Sequence, residues 1–171
     1  MSKYNTVTKS KTKPTIDEVI SEYTDVNIRE AAADFAEHMR AKKMPLRWTS
    51  KDRYKALQKK TAICWVDLNQ RALSPIKWRI LTVLTNIAEY ETFILNEGWQ
   101  DFILEKINLC GPCNPNRQCS GGNKLSILGK NFNGICQNII FHKVMIGFDD
   151  PNDEAISRIK KLVEWERQAR G

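Results

Sequence analysis

Four of the chain's five cysteines stand in one region, as Cys110-Gly111-Pro112-Cys113-Asn114-Pro115-Asn116-Arg117-Gln118-Cys119 answered by Cys136. The spacing is C-x2-C-x5-C-x16-C. A zinc ion takes four soft ligands at tetrahedral corners, and a C-x2-C loop lets two thiolates converge on one ion while later segments supply the others. Gly111-Pro112, Asn114-Pro115 and Gly121-Gly122 are turn formers, suited to a loop wrapped round an ion. The expected cofactor is therefore a structural zinc held by Cys110, Cys113, Cys119 and Cys136. The same residues also admit plain reduced thiols, or a disulfide or redox pair. His142 is an alternative ligand, but the apolar run Ile139-Ile140-Phe141-His142-Lys143-Val144 reads as a strand.

Cys110-Gly111-Pro112-Cys113 is also the active-site tetrapeptide of thioredoxins, and the resemblance covers these four residues alone. Thioredoxin chemistry implies a thiol oxidoreductase whose first cysteine sits at a helix N-terminus, where free N–H groups and the helix dipole stabilise the thiolate. Here Pro115 follows two residues after Cys113, and proline lacks an N–H and clashes with a preceding helical turn. The segment before Cys110 reads as a helix end rather than the strand of a βαβ unit.

The elements that must hold this region belong to a chain of 171 residues, the length of one domain with a real core. No window approaches the ~20 apolar residues of a membrane span. Met1-Ser2-Lys3-Tyr4-Asn5 lacks the apolar core of a secretory signal. With five cysteines, an odd number, the expected compartment is a reducing cytoplasm.

The net charge of +7 is concentrated. Arg40, Lys42, Lys43, Arg47, Lys51, Arg53, Lys55, Lys59 and Lys60 lie in one segment against Asp52 alone. Interleaved with Trp48 and Tyr54, they form a candidate nucleic-acid-binding set, in which cations meet phosphates and rings stack on bases. The plainer reading is a solvated loop and edge strand kept soluble by lysine. No helix-turn-helix, RRM signature or paired-histidine finger accompanies it.

Residues 1–14 carry lysines without an acid and read as a mobile basic tail ahead of a single α+β domain over 15–171, with the cysteine-rich module at about 108–137. Thr15-Ile16-Asp17-Glu18 is a capping box, and Asn27-Ile28-Arg29-Glu30 a looser one. The helix behind the second buries Ile28, Ala31, Ala32, Phe35 and Met39, leaving Glu30, Asp34, Glu37 and His38 on its solvent face. Strands are expected at 46–49, 54–60, 61–68 and 77–84, the third of them central, with Cys64 a small core residue. The short connection from the third to the fourth favours an antiparallel pair. Asn86 signals a further helix with Ile87, Tyr90, Phe93 and Ile94 on one stripe; Gly98 interrupts it, and Trp99, Phe102, Ile103 and Ile107 resume it. Tyr90, Phe93 and Trp99 read as core, with a ligand pocket as the alternative. A hairpin over 124–136 would return Cys136 toward the other cysteines, a strand over 139–148 follows, and Asp150 caps a last helix that buries Ile156, Ile159, Leu162 and Val163. The fold class is α+β: an antiparallel sheet packed against helices, with a cysteine-rich loop or hairpin and a C-terminal helix.

At 119–132, at Cys136, and at Asp150-Pro151 before the last helix, the chain resembles a group of small uncharacterised proteins of Firmicute bacteria. That resemblance covers roughly the last third. It implies a bacterial cytoplasmic protein in which Cys110, Cys113, Cys119 and Cys136 share a role, and it carries no activity.

Three functions compete. The first is a binding or regulatory domain, pinned by the four-cysteine zinc site, whose partner is a protein or a small molecule. The second is a nucleic-acid binder using the 40–60 segment. The third is a thiol oxidoreductase using Cys110 and Cys113, or a zinc hydrolase, which would need an acid or histidine beside the metal. The region from Asn108 to Lys143 holds no acid, so the balance falls against an enzyme.

Overall fold

A computed structural model describes residues 13–23, 25–50, 52–68, 75–107, 123–135 and 144–171. Helix α1 (Ile16–Ser21) starts where the capping box puts it: the Thr15 side chain accepts from Glu18 N at 3.2 Å, and Thr15 N donates to Glu18 Oε2 at 2.6 Å. The bond from Thr15 N, and a second from the Thr15 hydroxyl to the same oxygen at 2.9 Å, favour the ionised carboxylate and hold the Glu18 carboxyl below its ordinary range. Helix α2 (Val26–Ala41) begins one signal earlier than expected, because Asp25 rather than Asn27 caps it, accepting from Asn27 N and Ile28 N. It buries Ala32, Phe35, Ala36 and Met39.

Five strands follow in one antiparallel sheet: β1 (Arg47–Ser50), β2 (Arg53–Gln58), β3 (Thr61–Leu68), β4 (Trp78–Leu84) and β7 (Val144–Asp149), in the order β1-β2-β3-β4-β7. β3 is central, as its two apolar faces require. The register aligns Tyr54, Val66, Ile80 and Phe148 across four strands. This buried row joins the apolar stripes of α1, α2 and α5 (Asp153–Ala169) in one core running from Ile16 to Val163. Side chains alternate across a strand, so the neighbouring row, Arg53, Asp67, Arg79 and Asp149, lies on the opposite face. There Arg53 is paired with Asp67 through bonds of 2.5 and 2.6 Å, and Arg79 with Asp149.

Between β4 and the described hairpin, the stripe at 87–107 becomes a 3-10 turn (Ile87–Glu89), α3 (Glu91–Asn96) and α4 (Gln100–Leu104). Gly98, at φ +68°, separates the two helices as expected. Asn86 makes no side-chain cap there. Phe93 leaves the predicted core stripe and is 56 % exposed. Ile107 instead reaches the sheet, bridging to Ile146 at the edge of β7. Strands β5 (Asn123–Ile127) and β6 (Lys130–Ile135) form the expected hairpin, with Ile127, Leu128 and Ile135 in the core and Gln100 Nε2 donating to Leu128 O.

Two other expectations are corrected. Asn152, not Asp150, caps α5 by accepting from Ala155 N; Asp150 takes φ +41° and its Oδ1 accepts from Lys77 N and Trp78 N, both at 2.9 Å. His38 does not lie on an open helix face, because α5 packs over it: the side chain is 17 % exposed and Nε2 lies 3.2 Å from Glu164 Oε1. Nε2 is not aimed at that oxygen and makes no hydrogen bond. No described helix is long and apolar enough to cross a membrane.

Candidate nucleic-acid interface

The basic segment is divided by the fold into four places. Arg40 ends α2 and its guanidinium bonds Asp17 of α1 at 2.8 and 3.0 Å, with Glu37 on its other edge. Those partners raise the affinity of Arg40 for its proton, so it remains a cation beside two carboxylates. Arg47 and Trp48 open β1, the first strand in the order of the described sheet, with Arg47 opposite Lys55 and Trp48 opposite Tyr54. Arg53 and Lys55 lie on the far face of β2, and Arg53 is held there by Asp67. Lys59 and Lys60 form the turn into β3, and Lys42 reaches across to Glu164 of α5 at 3.1 Å. Lys51 lies outside the described residues.

The first two places meet in a groove of about 430 Å³, walled by Lys13 to Asp17, by Ala36 and Arg40, and by Pro45 to Trp48 with Tyr54. Three separate chain segments thus bring Lys13, Arg40 and Trp48 round one opening; Arg47 borders it on β1, and its place opposite Lys55 puts its side chain on the other face of the sheet. Lys13 and Pro14 do not belong to the expected mobile tail: the Lys13 ammonium stands 5.5 Å from the centroid of Trp48, and the Tyr54 hydroxyl, 3.2 Å from both, faces the carbonyls of Pro14 and Thr15. Residues 1–12 of that tail are outside the described residues. Tyr54 is corrected as a stacking candidate, because its side chain is wholly buried; its part is to anchor the wall of the groove. Burial, with the charge of Asp52 next in size, pushes its phenol up to about 12.

All four candidate zinc ligands, Cys110, Cys113, Cys119 and Cys136, and also His142, lie outside the described residues. Among the described residues no group of acids, histidines and cysteines has the arrangement of a metal site. Cys64 is the buried core residue expected of it, with burial pushing its thiol up to about 12.

A second polar cluster escaped sequence reasoning. Glu166 of α5 is completely buried, and its Oε2 accepts from Tyr90 at 2.6 Å and from Asn86 N, while Oε1 accepts from Arg170 Nε at 2.7 Å. Arg170 also donates to Ala62 O, Val83 O and Thr85 Oγ1. Burial first, and the adjacent carboxylate second, hold the Tyr90 phenol protonated well above its usual range. Spacing carried the signal: Glu166 follows Leu162 by four residues and Val163 by three, on the same stripe as Ile159. Beside it the Trp165 ring gathers Phe93 at 5.8 Å, Trp99 at 5.3 Å and Tyr90 at 6.2 Å. The concavity there, about 240 Å³, is shallow and lined by Tyr90, Phe93 and Trp165 but not by Trp99.

Chemically, the groove offers positive charge, one aromatic ring and no described nucleophile paired with a base. No protein-family model, curated protein or solved structure matches this chain, so the geometry stands without a relative's site to compare.

Proposed function

We propose that this protein binds single-stranded nucleic acid along the groove between α1, the end of α2 and β1. The observation that carries the reading is the convergence of Lys13, Arg40 and Trp48 on one opening from three segments of chain, with Arg47 bordering it on β1. Phosphates provide sequence-independent attraction to such cations, and an aromatic ring at the lip accepts any base face, so a single strand is the ligand that uses both. Lys13 and Arg47 have no carboxylate partner among the described residues, whereas Arg40 is shared with Asp17 and Glu37.

The test is fluorescence anisotropy of a labelled oligothymidylate against salt. Wild type should bind with an affinity that falls as salt rises, and Arg47→Glu should weaken it on the order of tenfold and make the logarithmic salt slope shallower by about 0.7 per lost phosphate contact. Trp48→Ala should weaken binding by about 1–3 kcal/mol with the slope unchanged. Binding that ignores both substitutions would remove the groove from the interaction.

A second reading concerns the cysteines. The β5–β6 register sets Asn123 opposite Ile135, so the chain four residues after Cys119 and one before Cys136 runs side by side. That supports a four-cysteine zinc site that pins a binding domain, since a short hairpin is a common way to return a late ligand to early ones. Native mass spectrometry of anaerobically purified protein should then show one zinc per chain, removed by chelator with loss of folded structure. Metal-free protein with reversible oxidation at Cys110 and Cys113 would favour the oxidoreductase instead.

A further inference from the structure

Among the described residues, five that are not glycine take positive φ: Lys43 at 61°, Lys59 at 47°, Lys60 at 67°, Leu128 at 50° and Asp150 at 41°. This region crowds Cβ against the following carbonyl oxygen, so such a residue needs a reason to be there. Two of the five have one inside the protein. Leu128 buries its side chain in the core, and Asp150 accepts two backbone N–H bonds. The three lysines are exposed, and none of their ammonium groups has an ion pair or hydrogen bond among the described residues.

Each lysine occupies a position whose backbone asks for glycine or asparagine. Lys43 is the left-handed residue ending α2: its N–H donates to Arg40 O and the next N–H, from Met44, to Met39 O, the pair of bonds at which glycine is the usual occupant. Lys59 and Lys60 are both central residues of the two-residue turn between β2 and β3, where Gln58 pairs with Thr61. Positive φ at both centres is the type I′ arrangement favoured by Asn-Gly. Among the described residues the other such turn, between β5 and β6, is Leu128-Gly129 and does use glycine. Three lysines therefore stand where a relaxed backbone calls for another residue, and all three fall inside the most basic segment of the chain.

We infer that Lys43, Lys59 and Lys60 are kept at these positions as phosphate contacts, extending the nucleic-acid site from the groove round the end of α2 to the β2–β3 turn; this rests on the groove reading above. Continuity favours it. Lys43 lies between Arg40 and Pro45, both of which line the groove, and the turn is at the far end of β2, about 13 Å along the strand from Tyr54 to Gln58. Lys59 also sits at the end of α5, its Nζ 3.4 Å from where a side-chain carbon on Gly171 would stand, so the helix C-terminus shares that charge. Lys43 stands likewise at the C-terminus of α2, and Lys60 has no such neighbour described.

The inference makes two effects move in opposite directions. Replacing Lys59→Asn and Lys60→Gly together should raise the urea midpoint while weakening oligothymidylate binding on the order of tenfold at 0.1 M salt, with a shallower salt slope. Lys43→Gly should do the same to a smaller degree. Lys59→Arg with Lys60→Arg keeps charge and backbone demand, and should leave both midpoint and affinity near wild type. A stabilised Asn-Gly variant that binds as tightly as wild type would overturn this inference and leave the groove standing. Wild type that fails to bind the oligonucleotide at low salt would remove the groove reading and this one together. Binding to phosphatidylglycerol vesicles in place of the oligonucleotide would assign the same lysines to a membrane surface, against the inference.

Discussion

The charges around Glu166 and those of the 40–60 segment are built in opposite ways. Glu166 is sealed between α5 and the sheet, and each of its two oxygens has a donor, while Arg170 finds three further acceptors on Ala62, Val83 and Thr85. Such a closed network has no valence left for a partner; its effect is to fix the end of α5 against β3 and β4. The basic segment is the reverse. Arg40, Lys42 and Arg53 have carboxylates, but Lys43, Arg47, Lys55, Lys59 and Lys60 have none among the described residues. What separates the two regions is therefore the count of satisfied partners at each group, not the number of charges nearby, and the cations left without a carboxylate are the ones the proposed binding would use.

The comparison breaks most visibly at Glu166. Glu166→Ala leaves Arg170 with no carboxylate and the buried Tyr90 hydroxyl with no acceptor. Removing one member of a buried pair costs about 3–5 kcal/mol, and the three remaining acceptors of Arg170 should hold the loss near the lower end. Tyr90→Phe removes one hydrogen bond to a charged group and should cost about 1.5–3 kcal/mol, with the Arg170 pair intact. Urea unfolding measures both, and oligothymidylate affinity measured on the folded variants should not change. A Glu166→Ala protein as stable as wild type, or one that lost binding while folded, would dissolve the distinction between the two regions.

Much of the fold was legible because it rests on local rules. The run Thr61-Ala62-Ile63-Cys64-Trp65-Val66-Asp67-Leu68 is apolar on both faces and became the central strand, and Thr15 with Glu18 became the first helix start. Errors arose where a residue's role is set by something distant in sequence. Asp150 has the chemistry of a helix cap, yet its carboxylate turns to the β4 backbone at Lys77 and Trp78. Phe93 fits a helical stripe, but its partner is Trp165 on α5, at the surface. Tyr54 looked like a stacking ring until its register opposite Val66 placed it in the core. The groove was half visible: composition marked Arg40, Arg47 and Trp48, while only the packing of α1 on α2 adds Lys13 and Asp17. Nothing in lysine's turn preference announces positive φ at Lys43, Lys59 or Lys60; the backbone shows it.

His38 stands between the two kinds of site and gives the smallest effect. It is mostly enclosed between α2 and α5, faced by Glu164, Lys160, Lys42 and Asp34, and its Nε2 lacks a hydrogen bond. Burial is the largest influence and lowers its pKa; Glu164 pulls the other way, and Lys160 and Lys42 reinforce the burial. The folded protein therefore takes up this proton at lower pH than the unfolded chain does. Where the unfolded imidazole is charged and the folded one neutral, the unfolded state binds more protons, so this contribution to stability is full above the unfolded pKa, about 6.5, and is lost as pH falls below it toward the folded value. Between about pH 7.5 and pH 5.5 the urea midpoint of wild type should fall further than that of His38→Asn, which has no such proton to gain. Parallel pH profiles would mean that the site behaves as exposed surface. A wild type that gained stability on acidification relative to His38→Asn would mean that the Glu164 pair outweighs burial, which would move His38 into the closed class with Glu166.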